Sequence, residues 1–221
     1  MERIANADSV VVIGLGRFGR ALALELMSLG ADVLGIDSDE DIVQSLNGQL
    51  TQVVRADSTK PEVLRQLAVH EFDRAVVAIG SDLEASILTT SALLGFRHPE
   101  IWAKAVSDAH GEILRQLGVG HVIFPEQDMG RRLAHLVRGR ALDFIEVEPG
   151  FAVVKVAANR PVIGKPLGET GLRQKHGVTV MAVRCGTKDW VSADAQTVIT
   201  EADTMLIAGP TAKVEAFGQL R

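Results

Sequence analysis

The first 125 residues alternate short apolar runs with amphipathic segments. Each run is nearly continuous and rich in β-branched residues, which is typical of strands buried on both faces of a parallel sheet. The runs predict six strands, at residues 10–13, 31–36, 50–55, 72–80, 101–105 and 121–124. The segments between them predict five helices, at residues 20–30, 39–48, 61–67, 81–94 and 108–117. Because strand and helix alternate with short connections, we expect an α/β fold, a Rossmann-like, doubly wound parallel sheet.

The alternation stops at Pro125, and a further helix is predicted at about residues 126–138. Its apolar residues fall on one stripe, with arginines on the other faces; the stripe consists of Met129, Leu133, Leu136 and Val137. Since the sheet is complete before this helix begins, we expect the stripe to pack on a partner subunit. The basic face is interpreted as solvated.

After Gly139 short apolar runs follow one another closely, separated by turn signals such as Pro149-Gly150. They predict strands at residues 144–148, 151–156, 178–184, 197–200 and 204–208, a short helix at 170–175 and a terminal helix at 211–220. We therefore expect two domains. The first covers residues 1–139 and includes the helix at 126–138, and the second is a small α+β domain at residues 140–221.

Three glycines, Gly14, Gly16 and Gly19, follow the first strand with the spacing G-x-G-x-x-G and lead into a helix. This arrangement places bare backbone N–H groups at the positive end of a helix, where a nucleotide phosphate binds. Asp37 ends the second strand, where a carboxylate accepts hydrogen bonds from a ribose diol and repels the 2′-phosphate of NADP. The alternative is that Asp37 caps the next helix, but Asp39 and Ser38 can do that.

Other candidates follow the later strands, at the edge where open parallel sheets bind ligands. Asp57 and Ser58 are candidates for the edge of an adenine ring, although Ser58 or Thr59 is an equally good cap for the next helix. A capping-box pattern from Ser81 to Glu84 opens the fourth helix.

Three more polar or glycine positions stand where strands end. Gly80 ends the fourth strand. Lys104, near the end of the fifth, is interpreted either as a contact to phosphate or adenine or as a solvated lysine. Glu126 follows the sixth strand and is better placed for a ligand or a cation than for the core.

Composition and charge narrow the class of protein. The net charge of −5 includes no basic excess, so we expect no nucleic-acid partner. No apolar run approaches the roughly 18 residues of a membrane helix, and residues 1–6 lack the apolar core of a signal peptide. The single cysteine, Cys185, excludes an internal disulfide and is expected to be a small buried strand residue.

Catalytic motifs are missing from the sequence. It contains no H-E-x-x-H, C-x-x-C or G-x-S-x-G, and no Walker lysine follows the glycine turn. The six histidines are scattered, and a dehydrogenase would need a proton donor near the nicotinamide. The chain thus has groups to hold a nucleotide and none evident to transform one, which favours a ligand sensor over an enzyme.

Five segments together resemble the RCK (KTN) family, cytosolic regulators of potassium channels and transporters that join a TrkA-N domain to a TrkA-C domain. The segments are residues 14–19 (Gly-Leu-Gly-Arg-Phe-Gly), 77–80, 101–105, 124–130 (Phe-Pro-Glu-Gln-Asp-Met-Gly) and 202–209. The resemblance implies a homo-octameric ring of dimers on the cytoplasmic face of the cell membrane. The ring would sit under an integral-membrane potassium-translocating subunit of the KtrB or TrkH type, and ATP and ADP would hold it in different shapes.

The resemblance also implies roles for single residues. Arg17 would reach the terminal phosphate, Asp37 would hold the ribose, and Asp57, Ser58, Ala78, Ile79 and Lys104 would line the side of the base. Glu126 would bind Ca²⁺ or Mg²⁺ beside the γ-phosphate, near a neighbouring subunit's site. The expected nucleotide-binding residues are Gly14, Gly16, Arg17, Phe18, Gly19, Asp37, Asp57, Ser58, Ala78, Ile79, Gly80, Lys104 and Glu126.

Some members of the family bind cyclic di-AMP between two C-terminal domains. Arg173, His176 and residues 162–163 fall in the comparable region, but Ala193 stands where relatives often have a proline. That departure counts against cyclic di-AMP and favours a dimerisation role. A second hypothesis is an NAD(H)-sensing regulator, because Asp37 suits NAD equally, and a third is an NAD-dependent oxidoreductase.

Overall fold

The computed structural model describes residues 8–220. The chain divides into two compact units, Met1–Glu126 and Gln127–Arg221. The division falls at the start of the helix that begins at Pro125, whereas the boundary expected from the sequence, at residue 139, lies at the end of that helix.

The N-terminal unit is built on a parallel sheet of six strands in the order β3-β2-β1-β4-β5-β6. Its strands are β1 (Ser9–Ile13), β2 (Asp32–Asp37), β3 (Gln52–Arg55), β4 (Arg74–Val77), β5 (Ile101–Lys104) and β6 (His121–Ile123). Its helices are α1 (Arg17–Ser28), α2 (Glu40–Leu46), α3 (Pro61–Gln66), α4 (Leu83–Gly95) and α5 (Asp108–Leu117). The expected doubly wound α/β fold is confirmed. All six carboxyl ends meet at one edge of the sheet, because every neighbouring pair of strands is parallel.

Strand β1 shows why its sequence is apolar at every position. Val11 and Ile13 contribute to the hydrophobic core on one face of the sheet, and Val10 and Val12 to the core on the other. Successive side chains of a strand point to opposite faces, so a central strand covered on both sides needs an apolar residue at each step.

Helix α6 (Pro125–Arg138) begins at a proline, which fits the first position of a helix because that N–H has no partner there. None of its residues is buried. Met129, Leu133 and Val137 are each more than half exposed, while Leu136 contacts the core of the C-terminal unit. Packing of the exposed residues on a partner subunit stays a prediction.

The C-terminal unit contains an antiparallel sheet in the order β10-β9-β11-β8-β7. The strands are β7 (Asp143–Glu148), β8 (Phe151–Ala157), β9 (Thr179–Cys185), β10 (Val191–Ser192) and β11 (Asp203–Pro210), and the helices are α7 (Leu167–Thr170), α8 (Leu172–His176) and α9 (Thr211–Gly218). In β8, Ala152, Val154 and Val156 are buried and alternate with more exposed residues. One face of the sheet is therefore packed, and the expected small α+β unit is confirmed.

Two predictions for the C-terminal unit are wrong. Residues 197–200 form only isolated bridges, because the Asp203 carboxylate accepts the Thr200 N–H at 2.8 Å and takes a bond that a strand ladder would need. Cys185 is exposed at the end of β9 rather than buried, and its thiol hydrogen-bonds to Asp203. Strand β10 has two residues and is too short for a sequence pattern to predict.

Two predicted helix caps are also wrong. Helix α4 is capped by Asp82, whose carboxylate accepts the Ala85 N–H at 2.9 Å, so Ser81 is not the cap. Helix α3 starts after Lys60 without any side-chain cap, so neither Ser58 nor Thr59 has that role. No helix within residues 8–220 is both long and apolar enough to cross a membrane.

Candidate functional site

A cleft of about 1080 Å³ opens at the carboxyl ends of the parallel strands in the N-terminal unit. The predicted residues that line it are Gly14, Gly16, Arg17, Phe18, Asp37, Asp57, Ser58, Ala78, Ile79, Gly80, Lys104 and Glu126. Gly19 does not line it. Residues that the sequence analysis missed line it as well, among them Ser38, Asp39, Ile42, Ala56, Thr59, Ser81, Asp82, Ala85 and Val106. Ser38 and Ala56 directly follow β2 and β3, and that position at a strand end is the signal that could have found them.

The three glycines of the motif meet different physical demands. Gly14 has a φ of +91°, and a Cβ there would lie 2.9 Å from the backbone nitrogen of Ile79. A Cβ on Gly19 would lie 1.8 Å from the carbonyl oxygen of Gly14. Gly16 has an ordinary φ of −61°, and a Cβ would meet nothing within 4 Å. The fold thus requires glycine at Gly14 and Gly19, but nothing in the chain requires it at Gly16.

Helix α1 begins at Arg17, three residues earlier than the sequence pattern predicts, directly after Gly16. Its N-cap, Gly16, provides no side-chain hydrogen bond, and the first turn contains no acidic residue. The first N–H groups of a helix lack intrahelical partners and carry partial positive charge. Because Gly16, Arg17 and Phe18 line the cleft, the start of α1 offers these N–H groups to an anion.

Asp37 ends β2 and is held by two backbone hydrogen bonds. Its carboxylate accepts the N–H of Leu15 at 2.6 Å and the N–H of Asp39 at 2.9 Å, one on each oxygen. Helix α2 is capped by Asp39, which accepts from Asp41 and Ile42, so the alternative role of Asp37 as its cap is wrong. Each carboxylate oxygen accepts more than one hydrogen bond, which leaves Asp37 able to receive two ribose hydroxyls.

Asp57 and Ser58, beyond β3, are both engaged within the chain. Asp57 accepts from the hydroxyl of Thr59 at 2.6 Å and from its N–H at 3.0 Å, and these bonds hold the pKa of the Asp57 carboxyl below its ordinary value. The Ser58 side chain is buried, and its hydroxyl lies 2.9 Å from that of Thr89. Their proposed contacts with adenine stay predictions.

Lys104 is the one buried lysine or arginine among residues 8–220. Its Nζ lies 2.6 Å from Oε1 of Glu126 and 5.6 Å from the centre of the Phe18 ring. The interpretation of Lys104 as a solvated lysine is wrong, because its side chain is only 10% exposed. The hydrogen bond from Lys104 holds the pKa of the Glu126 carboxyl below its ordinary value, and the nearby Arg17 charge lowers it further.

A divalent cation prefers several oxygen ligands. Within residues 8–220, no group of three or more His, Cys, Asp or Glu side chains is placed to hold a metal ion, and Oε1 of Glu126 already accepts from Lys104. The residues of one chain therefore do not fit Ca²⁺ or Mg²⁺ by themselves, and we assign no step to such an ion.

A second cleft, of about 500 Å³, lies in the C-terminal unit, and Arg173 and Ala193 line it. The Arg173 guanidinium donates to the Thr179 hydroxyl at 3.1 Å. His176 instead packs edge-to-face on Phe217, and Val162 is fully buried. The structure therefore brings only part of the residue set for cyclic di-AMP to this cleft.

Comparisons with known proteins agree on one family. Residues 10–125 match the model of the TrkA-N domain, and residues 151–220 match that of the TrkA-C domain. Ktr system potassium uptake protein C of Bacillus subtilis (strain 168) is 35% identical over 207 residues, which cover 93% of this chain and 94% of that protein. The chain belongs to the TrkA-type, or RCK, family of potassium-transport proteins. Ktr system potassium uptake protein A of the same organism is 33% identical over 218 residues, 98% of each protein.

Family membership confirms the resemblance drawn from the five segments, and it places the chain among regulators of potassium transport rather than among enzymes. The solved GsuK channel bound to NAD matches with a TM-score of 0.63 at 21% identity, over 96% of this chain and 39% of that chain. GsuK bound to ADP matches with a TM-score of 0.52 at 20% identity, over 62% of this chain and 35% of that chain. At these identities the likeness shows the fold alone.

Proposed function

We propose that this chain is the nucleotide-sensing regulatory subunit of a potassium transporter and that its cleft binds ADP or ATP. The observation that carries the proposal is the open space at Gly16. The fold does not need glycine there, whereas a phosphate that approaches the backbone at the start of α1 does. Asp37, whose carboxylate accepts the Leu15 N–H, would orient the ribose at the neighbouring strand end.

Discrimination between ATP and ADP must come from the γ-phosphate, because the two nucleotides share every other group. Arg17 is the first residue of α1, is exposed, and lines the cleft beside Gly16. A guanidinium forms strong, paired hydrogen bonds with phosphate oxygens. A nucleotide then shifts the regulator only by its difference in affinity for two shapes of the assembly.

NAD(H) is the alternative ligand. The cleft has room for a dinucleotide, and Asp37 suits the adenosine ribose of NAD as well as that of ADP. The GsuK channel, which shares the fold, has been solved with each of NAD and ADP. We favour ADP and ATP because the Arg17 guanidinium adds a full positive charge to the partial positive charge at the start of α1, where the phosphates would bind.

The assembly that we propose is a homo-octameric ring of dimers on the cytoplasmic side of a potassium-translocating membrane protein. The exposed apolar residues of α6, Met129, Leu133 and Val137, are the surface through which two copies would pair. The relatives are potassium uptake proteins of the Ktr system, which supports a transport protein as the partner.

The test is thermal unfolding of the purified chain with ATP, ADP, NAD⁺ and NADH, because a ligand of the folded state raises the midpoint. We expect ADP and ATP to raise it more than either form of NAD. Calorimetry of Arg17→Ala should show the ratio of ATP to ADP affinity reduced, by about tenfold if one charged hydrogen-bonded contact is lost. An unchanged ratio would remove Arg17 from the mechanism, and no shift with any adenine nucleotide would contradict the proposed function.

A further inference from the structure

The ion pair between Lys104 and Glu126 lies in the lining of the cleft that would bind the proposed ligand. Lys104 ends β5, and Glu126 is the second residue of α6. Their charged atoms are 2.6 Å apart, and both residues line the same cleft as Gly16 and Arg17.

The surroundings of Lys104 explain why its ammonium needs a partner at all times. Its side chain is 10% exposed, whereas that of Glu126 is 66% exposed. A buried ammonium without a partner is costly, and the Phe18 ring at 5.6 Å and the backbone at Gly80 offer it no full charge. Glu126 can return to water at little cost, but Lys104 can release it only if another anion takes its place.

A phosphate is such an anion, and the start of α1 is close by. Phe18, whose ring faces the Lys104 ammonium, is the second residue of α1 and follows Arg17 directly. The Arg17 charge is near enough to Glu126 to lower the pKa of that carboxyl. An anion bound by the first turn of α1 and by Arg17 therefore lies within reach of Lys104.

We propose that Glu126 occupies Lys104 in place of a ligand phosphate, so that a nucleotide binds by displacing this carboxylate and thereby moves the first turn of α6. The inference rests on the proposed function, because it takes the ligand to be a nucleotide. Once the phosphate holds Lys104, the Glu126 carboxylate faces a like charge and is repelled. The repulsion acts on the second residue of the helix that continues from Glu126 into the C-terminal unit.

The experiment is calorimetric titration of ADP into the full chain, with EDTA present, for four proteins: wild type, Glu126→Gln, Lys104→Met and the double variant. Glu126→Gln should bind ADP about three- to fivefold more tightly, since the intramolecular competitor is weakened. Lys104→Met keeps the side-chain volume and should bind ADP more weakly. In the Lys104→Met background, Glu126→Gln should have no effect, because no ion pair is left to break.

Asp128→Asn is the matched control. It removes the same charge two residues further along α6, where Asp128 pairs with Arg131, and it should leave the affinity for ADP unchanged. If Glu126→Gln tightened binding equally in the Lys104→Met background, general repulsion of the phosphates would be the cause and the proposal would be overturned. Unchanged or weaker binding by Glu126→Gln in EDTA would also overturn it. If wild type bound no nucleotide, the proposed function itself would fail, which is a distinguishable result.

Hydrogen exchange of the peptide at residues 125–138 gives the second readout. ADP should speed exchange in wild type, and ligand-free Glu126→Gln should already exchange at a rate close to that of the ADP complex. Exchange that neither ADP nor Glu126→Gln changes would contradict the movement of α6.

Discussion

The two units of this chain use their sheets in opposite ways. In the N-terminal unit every strand runs in the same direction, both faces are buried, and the carboxyl ends of the strands meet at one edge. In the C-terminal unit neighbouring strands run in opposite directions, so each edge mixes amino and carboxyl ends. Only the parallel arrangement gathers Gly16, Asp37 and Lys104 from different strand ends into one cleft. The position of the candidate site therefore follows from sheet topology more than from any single motif.

The largest expected effect is a loss of stability in the N-terminal unit alone. A Cβ on Gly19 would lie 1.8 Å from the Gly14 carbonyl oxygen, so Gly19→Ala should lower the free energy of unfolding by about 3 kcal/mol or more. The two tryptophans report separately, because Trp102 lies in the N-terminal unit and Trp190 in the C-terminal unit. Urea unfolding in a Trp190→Phe background should therefore show the loss.

The matched substitution in the C-terminal unit is Gly209→Ala, where a Cβ would lie 2.7 Å from the Gly177 carbonyl oxygen. It should cost less than Gly19→Ala, about 1 to 3 kcal/mol, and should be seen by Trp190 in a Trp102→Phe background. If Gly209→Ala lowered the Trp102 transition as far in the Trp190→Phe background, the two units would not be energetically separate.

The sequence predicts most of the N-terminal unit and less of the C-terminal unit. The apolar runs locate the parallel sheet, because burial on both faces leaves a strong signal, whereas α1 begins three residues earlier than its sequence pattern predicts. They do not show that Lys104 is buried against Glu126, since that depends on where residues 22 positions apart meet. In the C-terminal unit, the Asp203 carboxylate that bonds to the Thr200 N–H prevents a strand that the apolar pattern favours.

Mild acid should destabilise the N-terminal unit but not the C-terminal unit. Burial lowers the pKa of His98 and of His110 in the N-terminal unit, so the unfolded chain binds more protons below its ordinary histidine pKa of about 6.5. Stability of this unit should therefore fall as the pH drops below 6.5, by about 1 to 2 kcal/mol between pH 7 and pH 5.5.

The C-terminal unit has no buried histidine among residues 127–220. Its Asp143 has a pKa lowered by the hydrogen bond from Arg132, so that contribution is lost only below about pH 4. The Trp190 transition should thus stay level over the range in which the Trp102 transition falls. His110→Asn, which keeps an acceptor for the Val106 N–H, should reduce the slope; an unchanged slope would exclude His110 as a cause.

The smallest expected effect concerns backbone strain. Ala68 lies two residues beyond the end of α3 and has a φ of +51°, a left-handed conformation that is strained for alanine. Ala68→Gly should stabilise the N-terminal unit by about 0.5 kcal/mol. Gly177, with a φ of +69°, is its counterpart in the C-terminal unit, where Gly177→Ala should destabilise by about 1 kcal/mol. Urea midpoints of the two single-tryptophan backgrounds measure both changes, and a loss of stability in Ala68→Gly would contradict the strain.

The proposed function requires that bare backbone at the start of α1 bind a nucleotide phosphate. Its most direct test is calorimetric titration of ADP into wild type and Gly16→Ala, with the unfolding free energy measured for both. At φ −61° with nothing within 4 Å of the new Cβ, alanine should leave stability unchanged. We predict that Gly16→Ala folds like wild type and binds ADP at least about tenfold more weakly. Equal ADP affinity in the two folded proteins would contradict phosphate binding at the start of α1.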